Sequence, residues 1–490
     1  MIRVKKLFFL VAICSLISFE VLALPMDWHG VFGVDSVTID SYRRVEETQQ
    51  QSTGPGTQEY QLANGQHATS RFQTYLLRLS PEIIVNDSST FKAELTTGYG
   101  RGGRLGDSST TNAGTSTESM ANSLYYYNTN SAGSSALQVS QFNMTLYSDT
   151  ATYIIGRHTY QWGLGAVIND GHQLWDRQIY IRDGITAKFK IGNFDISPFL
   201  SKIGSSESLT RATKVREYGA SLLYDNPDKD IAFGLYYSKK QNNAFNGTIA
   251  VDIQNTGTAT PLGKTNTKLT DFYLKKSFGK TTIQGEVPIL SGEIGHLYDA
   301  SSSSKYGAKA FLFEAKHELS ESTAFFANFG HVSGHSVVES SFDAMYLNPN
   351  YQIANLLFRY NLMAVGDQTR NVFDSYITNT KYFKFGSTLR SDRSTWNFAA
   401  IYAIANETAI ADTKSYNHDS NRIFTATTSQ DNYLGTELDV DFDYRWNNET
   451  HLGASFGYLF TGDYYAYTNS TTENTAKNSF VVLVKSSLEF

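Results

Sequence analysis

Residues Thr436 to Trp446, TELDVDFDYRW, carry a charge at every second position: Glu437, Asp439, Asp441, Asp443 and Arg445. Leu438, Val440, Phe442, Tyr444 and Trp446 stand between them. A period of two is that of a β-strand, so the four carboxylates share one face and the apolar groups the other. Paired carboxylates can do acid–base work, and neighbours on such a face lie about 6.8 Å apart. That spacing falls in the range of inverting glycosidases, but any alternating acidic strand shares it. A hard cation such as calcium is a second candidate, although strand spacing is too wide for one ion to hold several neighbours. The third reading is a polar wall in contact with water.

The other residues with chemical potential are scattered. His158 and His172 stand apart from each other and from any third ligand pattern. No zinc-ligand spacing, phosphate loop or nucleophile elbow is present. Gly163, Gly165 and Gly171 within GRHTYQWGLGAVINDGHQLW, Gly156 to Trp175, have the wrong spacing for a nucleotide loop and read as permitting a tight fold. Cys14 is the one cysteine of the chain. The expectation is therefore a protein that is not an enzyme, with no catalytic residues, no metal ligands and no cofactor.

The elements that must carry the acidic row are strands throughout. The 490 residues hold 31 Tyr, 31 Phe and 37 Gly but only 8 Pro, and charged residues make up 18%. A net charge of -6 argues against a nucleic-acid binder. No internal apolar run is long enough for a transmembrane helix. Residues 1–23 read as a secretory signal: Arg3, Lys5 and Lys6 start it, Leu7 to Leu16 form the apolar stretch, and Val21-Leu22-Ala23 fits a cleavage site before Leu24. Residues 24–490 would then form one domain that lacks cysteine.

Eight pairs of alternating runs are joined by short turns. These lie near Asn86-Asp87, Ser148-Asp149, Gly192-Asn193, Asn226-Pro227, Gly279-Lys280, Ser320-Glu321, Asp392-Arg393 and Asn447-Asn448. Long Ser-, Thr-, Asn- and Gly-rich stretches such as QQQSTGPGTQEYQLANG and GDSSTTNAGTSTES separate the pairs. A first strand near Trp28 to Tyr42 and a last near Phe480 to Phe490 bring the count to about 18, with 16 or 20 as alternatives. The segment from His335 to Lys381 is open between a helix folded inward and an extra hairpin. The expected fold is all-β, a transmembrane antiparallel up-and-down barrel, with both chain ends on the periplasmic side.

The closing residues NSFVVLVKSSLEF resemble the last strand of a Gram-negative outer-membrane protein, where a terminal aromatic serves as the assembly signal; here it is Phe490. Across its mature length the chain resembles porin-type outer-membrane barrels. Its strand count is similar to that of substrate-specific and alginate-export-type porins, and the Gly-Arg-His…Trp-Gly stretch is similar to the latter. The resemblance implies an outer-membrane channel for small hydrophilic solutes. Its partners would be outer-membrane lipid and the barrel assembly machinery, and not nucleic acid; a homo-oligomer is open. The alternatives are a structural or adhesive surface barrel with a blocked lumen, and a barrel enzyme.

In a barrel the apolar face meets lipid, so the acidic row is expected to face the lumen. Arg78, Arg182, Lys188, Lys190, Lys384 and Arg390 are expected there too. Arg157 is included, although Tyr153 and Ile155 share its face. The sixth strand, with Arg182, Lys188 and Lys190, would lie nearly across from the acidic sixteenth and set up a transverse field. By resemblance to general porins, the third external loop bends inward as a constriction, with Asn169, Asp170 and Asp176 as its polar groups.

Overall fold

The computed structural model describes residues 25–46, 69–96, 138–204, 215–242, 250–251, 260–261, 263–299, 302–337, 341–361, 372–373, 375–419 and 421–490. The expected signal peptide and the two low-complexity loop stretches quoted above lie outside the described residues.

Strict alternation produces long antiparallel strands joined in chain order. The first six are β1 (Met26–Asp40), β2 (Ser70–Asn86), β3 (Ser89–Thr96), β4 (Gln138–Tyr147), β5 (Thr152–Thr159) and β6 (Ile181–Ile191). Next come β7 (Phe194–Gly204), β8 (Val215–Asn226), β9 (Ile231–Asn242), β10 (Asn266–Phe278), β11 (Thr281–Asp299) and β12 (Ala310–Glu318). The last six are β13 (Thr323–Val332), β14 (Thr380–Arg390), β15 (Ser394–Ala405), β16 (Tyr433–Arg445), β17 (Thr450–Thr461) and β18 (Ser479–Glu489). β1 pairs with β18, from Val31 opposite Glu489 to Asp40 opposite Phe480, so the 18 strands close into a barrel. All eight expected turns join neighbouring strands. Closure leaves no free sheet edge and satisfies the backbone in lipid.

The outer surface is the apolar face. Phe383, Phe385, Trp396, Phe398, Tyr402 and Leu438 all point away from the barrel axis and are exposed. No helix among the described residues is long and apolar enough to cross a membrane; the strands do the crossing. With this belt, the closed barrel is built to sit in a membrane and cross it with its strands.

The first strand and the last meet at one rim. The backbone N–H of Gly30 donates to the Phe490 carbonyl at 2.6 Å, and the Phe490 N–H returns a bond to the Gly30 carbonyl at 3.0 Å.

One expected element differs. The described residues between His335 and Lys381 form neither a helix nor a barrel hairpin. Apart from Ser341–Phe342, which pairs in parallel with Ser302–Tyr306, they run as irregular chain into the barrel. Their backbone N–H groups bond in part to side chains of the wall and to another loop, and in part within the segment, as from Leu347 to the Ile377 carbonyl beside the Tyr346–Thr378 bridge.

Candidate functional site inside the barrel

Two loops fill the middle of the barrel, and inward side chains of the strands hold both. The first joins β5 to β6. At one end, the Leu164 N–H donates to Glu286 of β11 at 2.5 Å. At the other, Arg177 Nη2 meets Asp35 of β1 at 3.0 Å and Thr74 of β2 at 2.8 Å. Arg78 of β2 donates to the carbonyls of Gly171 and His172 at 3.0 and 3.1 Å. The loop therefore crosses the lumen. Glycines on the wall make room for it: a Cβ on Gly33 would lie 2.8 Å from the Trp175 ring, and one on Gly234 would lie 2.7 Å from Trp162.

The second loop, residues 343–361, leaves the wall between β13 and β14 and reaches the acidic strand two strands on. Tyr351 Oη donates to Glu314 of β12 at 2.9 Å. The N–H groups of Leu356 and Leu357 donate to the two carboxylate oxygens of Glu437, at 2.6 and 2.7 Å. The Asn355 N–H donates to Asp439 at 3.1 Å, and its side-chain amide donates to Asp441 at 3.1 Å. Two successive N–H groups on one carboxylate are charge-assisted bonds, stronger than neutral ones. Burial of Tyr351 against the wall pushes its phenol well up from the ordinary value, and the nearby Tyr382 and Glu314 add to this.

Asn350 ties the two loops together. Its Oδ1 accepts from the Arg177 and Gln178 N–H groups at 3.2 and 3.1 Å. Its Nδ2 donates to Asn169 Oδ1 at 3.0 Å and to the Gln178 carbonyl at 2.7 Å. The Asn348 N–H adds a bond to the Ala166 carbonyl at 2.7 Å. Around this seam, Val167, Ile168, Leu347, Ile353, Leu356 and Leu357 are buried in one apolar cluster.

The acidic row faces inward as alternation requires, but it is not a continuous wetted wall. Glu437 is 0% exposed and Asp439 4%, because the second loop covers both. Asp441 and Asp443 lie half-buried toward the periplasmic end, where Asp443 meets Lys485 of β18 at 3.2 Å. Arg445 has left the lumen and donates to the Asp392 carbonyl of the neighbouring turn at 3.0 Å.

The basic residues separate into three groups. Arg182 points inward but is only 1% exposed. Its guanidinium lies 3.5 Å from the centre of the Phe199 ring and 3.9 Å from that of Tyr160, and Nη2 is 3.3 Å from Tyr236 Oη. Enclosed in these cation–π contacts, it is no part of a wetted wall. Arg157 is a correction of a different kind. It sits on the outward side of β5 with Tyr153, and it makes a two-point ion pair at 2.7 Å with Asp183. The pairing with Asp183 leaves the buried guanidinium with a compensating charge on that face. Lys188 and Lys190, by contrast, are exposed on the inward side of β6. Lys384 is half-buried, 5.7 Å from the centre of the Phe326 ring, and Arg390 pairs with Glu318 at 2.9 Å.

Within the first loop, Asn169 and Asp176 are buried and serve the loop's own folding. Asn169 Oδ1 accepts from the Gly171 N–H at 2.9 Å, and Asp176 accepts from the Gln173 N–H at 3.0 Å. Asp170 lies at the loop surface, 3.2 Å from His172 Nδ1. Sequence reasoning missed Asp35, Glu286, Asn350 and Asn355. Asp35 and Glu286 were visible as lone acids on inward strand faces. Nothing local marks the two asparagines beyond the turn-like LNPN stretch.

This architecture has counterparts among solved structures. OccAB1 of Acinetobacter baumannii is 9% identical, with 95% of this chain and 97% of that one covered and a TM-score of 0.47. OpdQ of Pseudomonas aeruginosa is 10% identical over 95% and 98%, with a TM-score of 0.45. An anion-selective porin from Comamonas acidovorans is 9% identical over 95% and 99%, with a TM-score of 0.41. What this chain has by its own strand pairing is the fold, a closed antiparallel barrel of 18 strands. No family model matches it, and no curated protein does. At such low likeness none of these structures lends it a substrate, so the functional reading rests on its own side chains.

Proposed function

We propose that the protein is an outer-membrane diffusion channel for small hydrophilic solutes, narrowed at mid-height by two interlocked loops. The observation that carries this reading is the exposure of Lys188 and Lys190 on the inward face of β6. Charged amines with that exposure inside a barrel call for water around them. Asp441 and Asp443 on β16 bring the opposite sign to the same periplasmic half, so the transverse field is confined below the loops and excludes Glu437, Asp439 and Arg182. Such a field orients polar solutes and separates paths for cations and anions. The proposal gives no side chain a catalytic role.

Purified protein in a planar bilayer should give discrete ohmic conductance steps, and liposomes carrying it should swell in small sugars or amino acids. Silence in both assays would favour the second reading, a surface barrel with a closed lumen. The observation favouring that alternative is the buried cluster of Ile168, Leu347 and Leu356 across the middle of the barrel.

A further inference from the structure

On the outside of the barrel, four adjacent strands carry cations at their external ends. Lys202 of β7 follows the outward Leu200 by two residues, and Arg216 of β8 precedes the outward Tyr218 by two. Lys239 of β9 follows the outward Tyr237 by two, and Lys268 of β10 precedes the outward Phe272 by four. By the period of two, all four share the outward face. The short turns after β6, β8 and β10 lie at the opposite ends of these strands, so the cations stand at the external rim.

Register brings them together. Lys202 is directly opposite Arg216, and Lys239 is directly opposite Lys268. Lys239 is also diagonal to Arg216, whose direct partner on β9 is Gln241. Like charges directly across a strand pair destabilise a sheet. Among the described residues, none of the four makes a hydrogen bond or ion pair; Lys239 has only a cation–π contact with Tyr218, at 6.0 Å. The carboxylate on the same face of the next strand, Glu293 of β11, is diagonal to Lys268 and directly opposite Lys305. Below the cations lie Tyr218 and Tyr237, and below those Leu222, Leu235 and Phe233, all exposed.

We propose that this patch docks the phosphate head group of a phosphorylated glycolipid in the outer leaflet, with its acyl chains lying along the leucines and Phe233 beneath. The order of cations, then phenols, then aliphatic surface matches an anionic amphiphile standing in the membrane. Two directly opposed cation pairs give a phosphate oxygen donors from both sides. Bound phosphate also turns the mutual repulsion of those pairs into attraction.

The test is binding of purified, detergent-solubilised full-length protein to lipopolysaccharide bearing phosphorylated lipid A. The comparisons are its dephosphorylated form, phosphatidylglycerol and inorganic phosphate as competitor. The variant combines Lys202→Gln, Arg216→Gln, Lys239→Gln and Lys268→Gln. The control combines Lys276→Gln and Lys280→Gln at the periplasmic rim. Each cation near a membrane surface accounts for roughly a fivefold effect. The fourfold variant should therefore bind the phosphorylated glycolipid at least about tenfold more weakly, with the control unchanged. Loss of binding on dephosphorylation would support the proposal. Equal binding by the variant would overturn it, as would equal binding of the dephosphorylated lipid or of phosphatidylglycerol. Displacement by inorganic phosphate at low millimolar concentration would mark a site for free anion and would also overturn it. If the fourfold variant does not fold, Arg216→Gln and Lys239→Gln singly should each weaken binding, and unchanged binding in both would count against the patch.

Discussion

Glu437 accepts two successive backbone N–H groups of the second loop while buried in the barrel wall. Glu437→Gln keeps the size but turns an amide donor toward one of those N–H groups. A buried donor left unmatched costs about 1–3 kcal/mol. The loop should loosen while the lipid face stays untouched. Amide hydrogen exchange at Leu356 and Leu357 should then be faster in the variant than in the wild type, with both still running as folded barrels in heat-modifiability gels. Equal exchange would show that Glu437 does not anchor the loop. The inward direction of this acid was legible in the sequence, because alternation with Leu438 and Val440 leaves no other lipid-compatible choice. Its burial was not. A strand pattern tells which side a group faces and says nothing of what later folds over it. Arg182 shows the same limit: its rings come from β7, β9 and the segment before β6.

At the scale of elements, the eighteen strands and eight turns were readable because each strand is specified locally by its period and each short turn by its residues. The two inward loops were harder. The first was expected only through resemblance, and the second was open between a helix and a hairpin. Both are defined by contacts distant in sequence, such as Asn350 to Gln178 and Asn355 to Asp439. The external loops contain a pH-sensitive contact of the same long-range kind. His418, between β15 and β16, accepts the His335 backbone N–H on Nε2 at 2.8 Å, and its Nδ1 lies 3.2 Å from Asn379 Nδ2. Burial first, and the neighbouring His335 second, together lower its pKa from 6.5 to about 3. A proton added at Nε2 would meet the N–H already pointing there. With the folded value depressed, the stabilising contribution is complete above pH 6.5 and is lost progressively as pH falls toward 3. External-loop amides near His418 should exchange hydrogen faster at pH 5 than at pH 7 after correction for intrinsic rates. His418→Gln should flatten that difference, and an unaltered difference in the variant would assign the effect to other groups.

At the scale of the molecule, barrel closure and lumen closure are separate matters. Phe490 makes two backbone bonds with Gly30 where β18 meets β1. Deleting Phe490 should lower the yield of heat-modifiable barrel in the outer membrane and leave the conductance of the surviving molecules unchanged. Normal yield with altered conductance would move its role from assembly to the pore. On the proposed function, the narrowing of the lumen depends instead on the acidic strand, which holds the second loop. On that reading Glu437 and Asp439 act on permeation by holding a loop in place rather than by touching the solute. The most direct measurement is single-channel conductance of the wild type and of the Glu437→Gln/Asp439→Asn variant in planar bilayers at high salt, where screening suppresses direct effects of charge. The account predicts larger and noisier conductance steps in the variant. Steps of unchanged size and noise, with only the ion preference altered at low salt, would contradict it and return the two acids to the wetted wall.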